Sequence, residues 1–89
     1  MTDHTMSSGV EALLRQAGRE HRRVRATYRF HGESGPTEHE RYWEPYAIRD
    51  GHAVVFSYLR NEFRTIPLKH ITNVEIRERK FEPRRPVEM

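Results

Sequence analysis

The residues of this chain best suited to chemistry are arginines that stand beside aromatic rings. Arg41, Tyr42, Trp43, Tyr46, Phe56, Tyr58 and Arg64 fall in three strand-like stretches expected to be neighbours. A ring offers a stacking surface and a guanidinium offers a planar cation, the combination used to hold single-stranded nucleic acid. The same rings are also what a small β domain needs for its core. Arg64 is the stronger candidate because it shares a strand face with Ile66 and Leu68. Its stem lies on apolar surface, so its head must reach a rim, a carboxylate or a ligand. A second stripe, Arg23, Arg25 and Arg29, can pair across strands with Glu75, which would be a structural role.

Other chemistries lack their residues. The chain contains no GxSxG, no phosphate-cradling glycine loop, no HExxH and no cysteine. Among the histidines only His31 and His39 could meet, across a glycine-rich loop, and two ligands without a third make no metal site. Paired carboxylates such as Glu38 with Glu40, or Glu75 with Glu78, fall at positions expected to be wet, where acid–base catalysis has no buried support. No catalytic residue, metal or cofactor is expected, and the chain does not read as an enzyme.

Composition narrows the setting. With 89 residues, 35% hydrophobic and 33% charged, the chain can build one domain with one small core. The net charge is +3, and fourteen of the sixteen basic residues are arginine. That bias suits recognition of phosphate or carboxylate, and genomic base composition produces it equally well. No apolar run approaches the roughly 20 residues needed to cross a bilayer, and the N-terminus has no apolar signal region. Together with the absence of cysteine this leads us to expect a cytoplasmic protein.

The elements that must position these side chains are organised around residues 52–68, HAVVFSYLRNEFRTIPL, the longest apolar run. It reads as a β-hairpin turning at Arg60-Asn61-Glu62. The outgoing stretch is apolar on both faces, Ala53, Val55 and Leu59 against Val54, Phe56 and Tyr58, and so requires cover on both sides. Upstream, Val10, Leu13, Leu14, Ala17 and His21 recur at helical spacing, with Ser8 and Glu11 forming a capping box, predicting a helix over 8–21. Period-two alternation predicts strands over 24–30, 38–48 and 72–79. A turn-rich loop over 31–37 separates the first two. Pro45 marks an edge or a bend in the second, and Asp50-Gly51 marks a tight hairpin. The expected fold is mainly β with one N-terminal helix: a five-stranded antiparallel sheet closing into a small barrel, with the first strand paired to the last. The domain spans 8–82, with tails at 1–7 and 83–89. The expected core is Leu13, Leu14, Ala17, Val24, Ala26, Tyr28, Val55, Phe56, Ile66, Leu68, Ile71, Val74 and Ile76.

Arg41-Tyr42-Trp43-Glu44-Pro45-Tyr46, then Gly51, then the apolar strand, then Arg64-Thr65-Ile66-Pro67-Leu68-Lys69-His70-Ile71 and Val74 resemble the WYL domain. Ala17, Arg22-Arg23 and Tyr28 resemble that family's helix and first strand, so the likeness covers about Val10 to Phe81. The chain departs from the pattern after Gly51, where Ala53-Val54-Val55 replace the Trp-Tyr-Leu that names the family. The resemblance implies an SH3/Sm-like small barrel that binds a ligand, often nucleic acid or a nucleotide, in bacterial transcriptional or phage-defence regulation. It matches Arg41 and Arg64 to the family's arginines and places His70 where a basic residue is usual. Family members commonly join this domain to a winged helix-turn-helix and a C-terminal extension, neither of which is read here. The expected function is therefore a regulatory module binding single-stranded nucleic acid or a nucleotide through Arg41, Arg64, Tyr58, His70 and Trp43. The alternative is a protein-interaction or oligomerisation module, and in either case a homodimer is expected, because so small a core leaves aromatic surface to cover.

Overall fold

The computed structural model describes residues 6–32 and 35–89, with side chains at 9–30 and 35–89. One helix, α1 (Met6–Arg19), precedes five strands: β1 (Arg22–Gly32), β2 (Gly35–Arg49), β3 (His52–Ser57), β4 (Glu62–Pro67) and β5 (Ile71–Lys80). A single 3-10 turn, Leu68–His70, joins the last two. All ladders are antiparallel, in the order β4-β3-β2-β1-β5. The first strand thus pairs with the last, as expected. The two outer strands, β4 and β5, are not hydrogen-bonded to each other, so the sheet is open where a closed barrel was expected.

Several boundaries differ from the sequence reading: the helix ends at Arg19 and not at residue 21, and β1, β2 and β5 each extend beyond the expected ranges. The helix begins at Met6, so Ser8 lies inside it and not at its cap, and the side chain of Ser8 is outside the described residues. The turn that follows the helix ends at His21, whose left-handed φ of 55° frees the chain to enter β1. The ladder between β1 and β2 also runs on to Gly32↔Gly35, so most of the expected 31–37 loop is strand. The Asp50-Gly51 turn is as expected. With φ of 51° and 74°, the two residues form the primed turn that joins Arg49 to its partner His52.

Sheet alternation sorts the side chains onto two faces. On one, Val24, Ala26, Trp43, Ala53, Val55, Ile66 and Val74 meet Val10, Leu14 and Ala17 of α1 in the main core. Gly18 lets α1 approach: a Cβ there would lie 3.3 Å from the Pro45 carbonyl and 2.5 Å from the Met89 side chain. On the other face Tyr46, Phe56 and Phe81 form a second cluster, joined by Tyr58, Phe63 and Val87. The cover expected on both sides of residues 52–59 is met for Ala53, Val55 and Phe56, whereas Leu59, in the turn after β3, is 64% exposed.

Pro45 lies in β2, an inner strand, and is fully buried; it marks a bend and not an edge. Register shifts between Pro45 and Ala47, leaving Tyr46 as an extra residue. The bulge absorbs the missing proline N–H and changes which face the following residues occupy. Beyond it, the backbone groups of β2 meet the C-terminal residues: Glu88 N–H donates to the Tyr46 carbonyl at 2.7 Å, and Glu88 bridges Ala47 in parallel. Residues 83–89, expected to trail outside the fold as a tail, instead lie along the second cluster. The physical reason is the buried carboxylate of Glu44, which requires a cation on that face.

Candidate nucleic-acid interface

Arg41 stands opposite Ala26 and Arg64 opposite Val55, so both arginines rise from the helix-side face of the sheet. The two guanidiniums emerge at the rim of the main core, with Tyr28, Trp43, Ser57, Leu59, Arg60 and Ile66 around one cleft of about 60 Å³. Tyr28 stacks obliquely between Trp43, at 6.0 Å, and His39, at 5.6 Å. Arg41 is held by the Glu40 carbonyl, which accepts from Nη1 at 2.8 Å, and lies 3.4 Å from His39 Nδ1. Arg64 reaches Glu62 at 3.7 Å, across a half-exposed surface where such a pair is weak. Among the described residues Arg41 and Arg60 have no carboxylate partner.

The outward stripe contrasts with this. Arg25 lies 2.8 Å from Glu75 and 3.6 Å from Glu40, and Arg29 lies 2.9 Å from Glu38. Arg77 is 3.2 Å from the same Glu75. The two carboxylates raise the Arg25 pKa, Glu40 contributing most. A broader cleft of about 650 Å³ opens here between Arg23, Tyr42, Arg77 and Arg79, with Glu75 and Glu78 also in its wall. Of the arginines expected to pair with Glu75, Arg25 does so, Arg29 pairs with Glu38 instead, and Arg23 lies over the Tyr58 ring at 4.8 Å.

The residues expected to form one site are therefore split. The fold gathers Arg41, Arg64 and Trp43, with Trp43 a buried wall more than a contact surface. Tyr58 is on the opposite face, where its hydroxyl donates to Glu44 Oε2 at 2.5 Å. His70 sits in the 3-10 turn and lines a separate cleft with Glu11, Asp50, His52 and Lys69. The alternation of residues 53–59 groups Tyr58 with Phe56, and the register of β3 with β4, Val55 opposite Arg64, puts that pair on the face away from Arg64. Tyr28, Leu59 and Arg60 were not anticipated as site residues. Tyr28 could have been found from its shared face with Ala26, whereas Arg60 enters through the turn after β3, which alternation does not reach. The side chain of His31, and with it the His31–His39 pair, lies outside the described residues. No group of three potential metal ligands gathers among the described residues.

A sequence model of the WYL domain matches residues 9–76, well over half of the chain. The chain belongs to the WYL domain family. Its fold is also similar to part of a solved structure, proteasome accessory factor B/C (PafBC) of Arthrobacter aurescens, at 20% sequence identity and a TM-score of 0.73. The likeness covers 90% of this chain and 13% of that one, so this WYL domain spans a small fraction of the larger protein. No curated protein sequence matches. Within this WYL domain the residues after Gly51 take ordinary structural positions: Ala53 and Val55 fill the main core and Val54 faces the other side. The arginine cluster is built without them. No described helix is long and apolar enough to cross a membrane.

Proposed function

We propose that this WYL domain is a non-enzymatic regulatory module that holds single-stranded nucleic acid, or the phosphates of a nucleotide, at Arg41, Arg60 and Arg64. The observation that carries this reading is the gathering of three arginines from two strands and a turn around one cleft, with little carboxylate charge to neutralise them. At about 60 Å³ the cleft is far below the roughly 300–1,000 Å³ of small-molecule sites, so it has no room for an inserted base. Recognition then rests on phosphates at the mouth, with exposed Leu59 and the edge of Tyr28 as apolar support, and carries little sequence preference. Control of transcription or of phage defence in a bacterial cytoplasm is the setting that suits such a module, and the cysteine-free composition is compatible with a reducing compartment.

Titration of a labelled single-stranded oligonucleotide at several salt concentrations tests the proposal. Three phosphate contacts give a slope of log affinity against log salt of about −2. Arg64→Ala lowers both affinity and slope. Arg64→Lys restores part of the slope without the full affinity, because a point charge replaces a planar fork. Arg25→Ala, which removes an arginine already matched by carboxylates, leaves binding within twofold. Absence of binding at low salt, or binding unchanged by Arg41→Ala and Arg64→Ala together, overturns the reading.

A further inference from the structure

The second face of the sheet contains a site independent of the arginine cleft. Glu44 is only 2% exposed, yet its carboxylate accepts four hydrogen bonds. Tyr46 Oη donates to Oε1 at 2.8 Å and Tyr58 Oη to Oε2 at 2.5 Å. Arg84 supplies the other two, Nε to Oε1 at 3.1 Å and Nη2 to Oε2 at 3.3 Å. The guanidinium sits over Phe56, its carbon 3.7 Å from the ring centroid. Beside it, Arg85 lies 3.9 Å from the centroid of Phe63. The walls of this site, Glu44, Tyr46, Phe56, Tyr58 and Phe63, belong to β2, to β4 and to β3 with the turn that follows it. The cation bonded to the carboxylate comes from the C-terminal residues, while Arg23 of β1 lies over the Tyr58 ring at 4.8 Å.

We propose that Glu44, Tyr46, Tyr58 and Phe56 form a receptor for an arginine side chain on an extended peptide, filled in cis by Arg84 and open to the same segment of a second copy. Two phenols neutralise none of the charge on a buried carboxylate, so the site demands a cation. The flat ring below and the two oxygens in line favour the planar fork of arginine over the point charge of lysine. The occupying segment, Glu82–Met89, is suited to exchange. Residues 82–86 are exposed, Pro83 and Pro86 keep the segment from forming a regular strand, and few backbone bonds hold it. Those bonds are Arg84 N–H to Tyr46 Oη at 2.8 Å and Glu88 N–H to the Tyr46 carbonyl at 2.7 Å. A tether this short gives the cis segment an effective concentration in the millimolar range, which a second copy approaches only when concentrated.

The test uses the full chain and a synthetic peptide with the sequence of residues 82–89, followed by amide and Arg Nε resonances in NMR. The Arg84→Ala chain, its receptor vacated, binds the peptide with shifts at Glu44, Phe56 and Tyr58. The unmutated chain binds it at least tenfold more weakly. A peptide carrying Arg84→Lys binds the vacated receptor at least fivefold more weakly than the parent, and one carrying Arg84→Ala does not bind. In case the Arg84→Ala chain does not fold, the unmutated chain gives a second readout. Millimolar parent peptide moves its Arg84 Nε–H resonance toward that of a free arginine, and the Arg84→Ala peptide does not. Equal binding of the parent and Arg84→Ala peptides, shifts confined to other surfaces, or no response of either chain at millimolar peptide overturns the proposal.

Discussion

Glu44 and its two tyrosines make the folded state sensitive to alkaline pH. Burial is the main cause that pushes the Tyr46 hydroxyl up to about 12, and burial and the bond to Glu44 raise Tyr58 further. In the unfolded chain both phenols titrate near 10. Between that value and the folded-state values the unfolded chain has released protons that the folded chain retains, so ionisation favours unfolding. The tyrosine contribution is therefore complete below about pH 10 and is lost as pH rises through 10 to 12. Urea denaturation at stepped pH is expected to show this fall, and Tyr58→Phe to make it shallower. At neutral pH the same substitution removes one hydrogen bond to a charged acceptor, at an expected cost of about 1.5–3 kcal/mol.

At the level of elements, the turn at Asp50-Gly51 and the bulge at Tyr46 govern how β2 and β3 meet. Gly51 has a φ of 74° and no atoms near the position a Cβ would take. Gly51→Ala therefore costs conformational energy without a clash, about 1–2 kcal/mol. For a domain of this size that corresponds to a drop in Tm of about 4–8 °C per kcal/mol, measurable by thermal denaturation, with the strand content by circular dichroism unchanged. The bulge has a larger consequence. Without it, Ile48 would follow Glu44 and Tyr46 onto the second face. With it, Ile48 pairs with Ala53 and packs on the main core. One extra residue thus lets the strand serve the polar receptor on one face and the helix-side core on the other.

For the molecule as a whole, Trp43 is the largest fully buried side chain, at the junction of β1, β2 and β3. Trp43→Ala is expected to cost about 3–5 kcal/mol. Set against the roughly 5–15 kcal/mol by which small domains are stable, this shifts the urea midpoint severely or abolishes folding, and Trp43→Phe gives an intermediate value. Among the described residues β4 and β5 are each paired on one side alone, and Phe30 and Tyr42 remain 52% and 46% exposed. These features favour self-association, which we expect to appear as a dimer in sedimentation at rising protein concentration. A strict monomer throughout would exclude it.

By itself the sequence determined the helix, the five strands, the Asp50-Gly51 turn and most of the main core, because these depend on local periodicity and on backbone conformations that few residues adopt. It also put the stem of Arg64 on apolar surface, since period-two alternation sets it on one face with Ile66 and Leu68, and left a rim, a carboxylate or a ligand open for its head. The WYL pattern followed from residues scattered along that same framework. Tertiary structure alone decided which rings share a site. Tyr58 and Arg64 are close in sequence but on opposite faces, while Tyr28 and Arg60 join Arg41 through strand register and a turn. It alone also showed why residues 83–89 dock. Their proline- and arginine-rich composition reads as a solvated tail, and only the burial of Glu44, which arises when β2 and β3 pair and the second cluster closes over them, creates the need for Arg84.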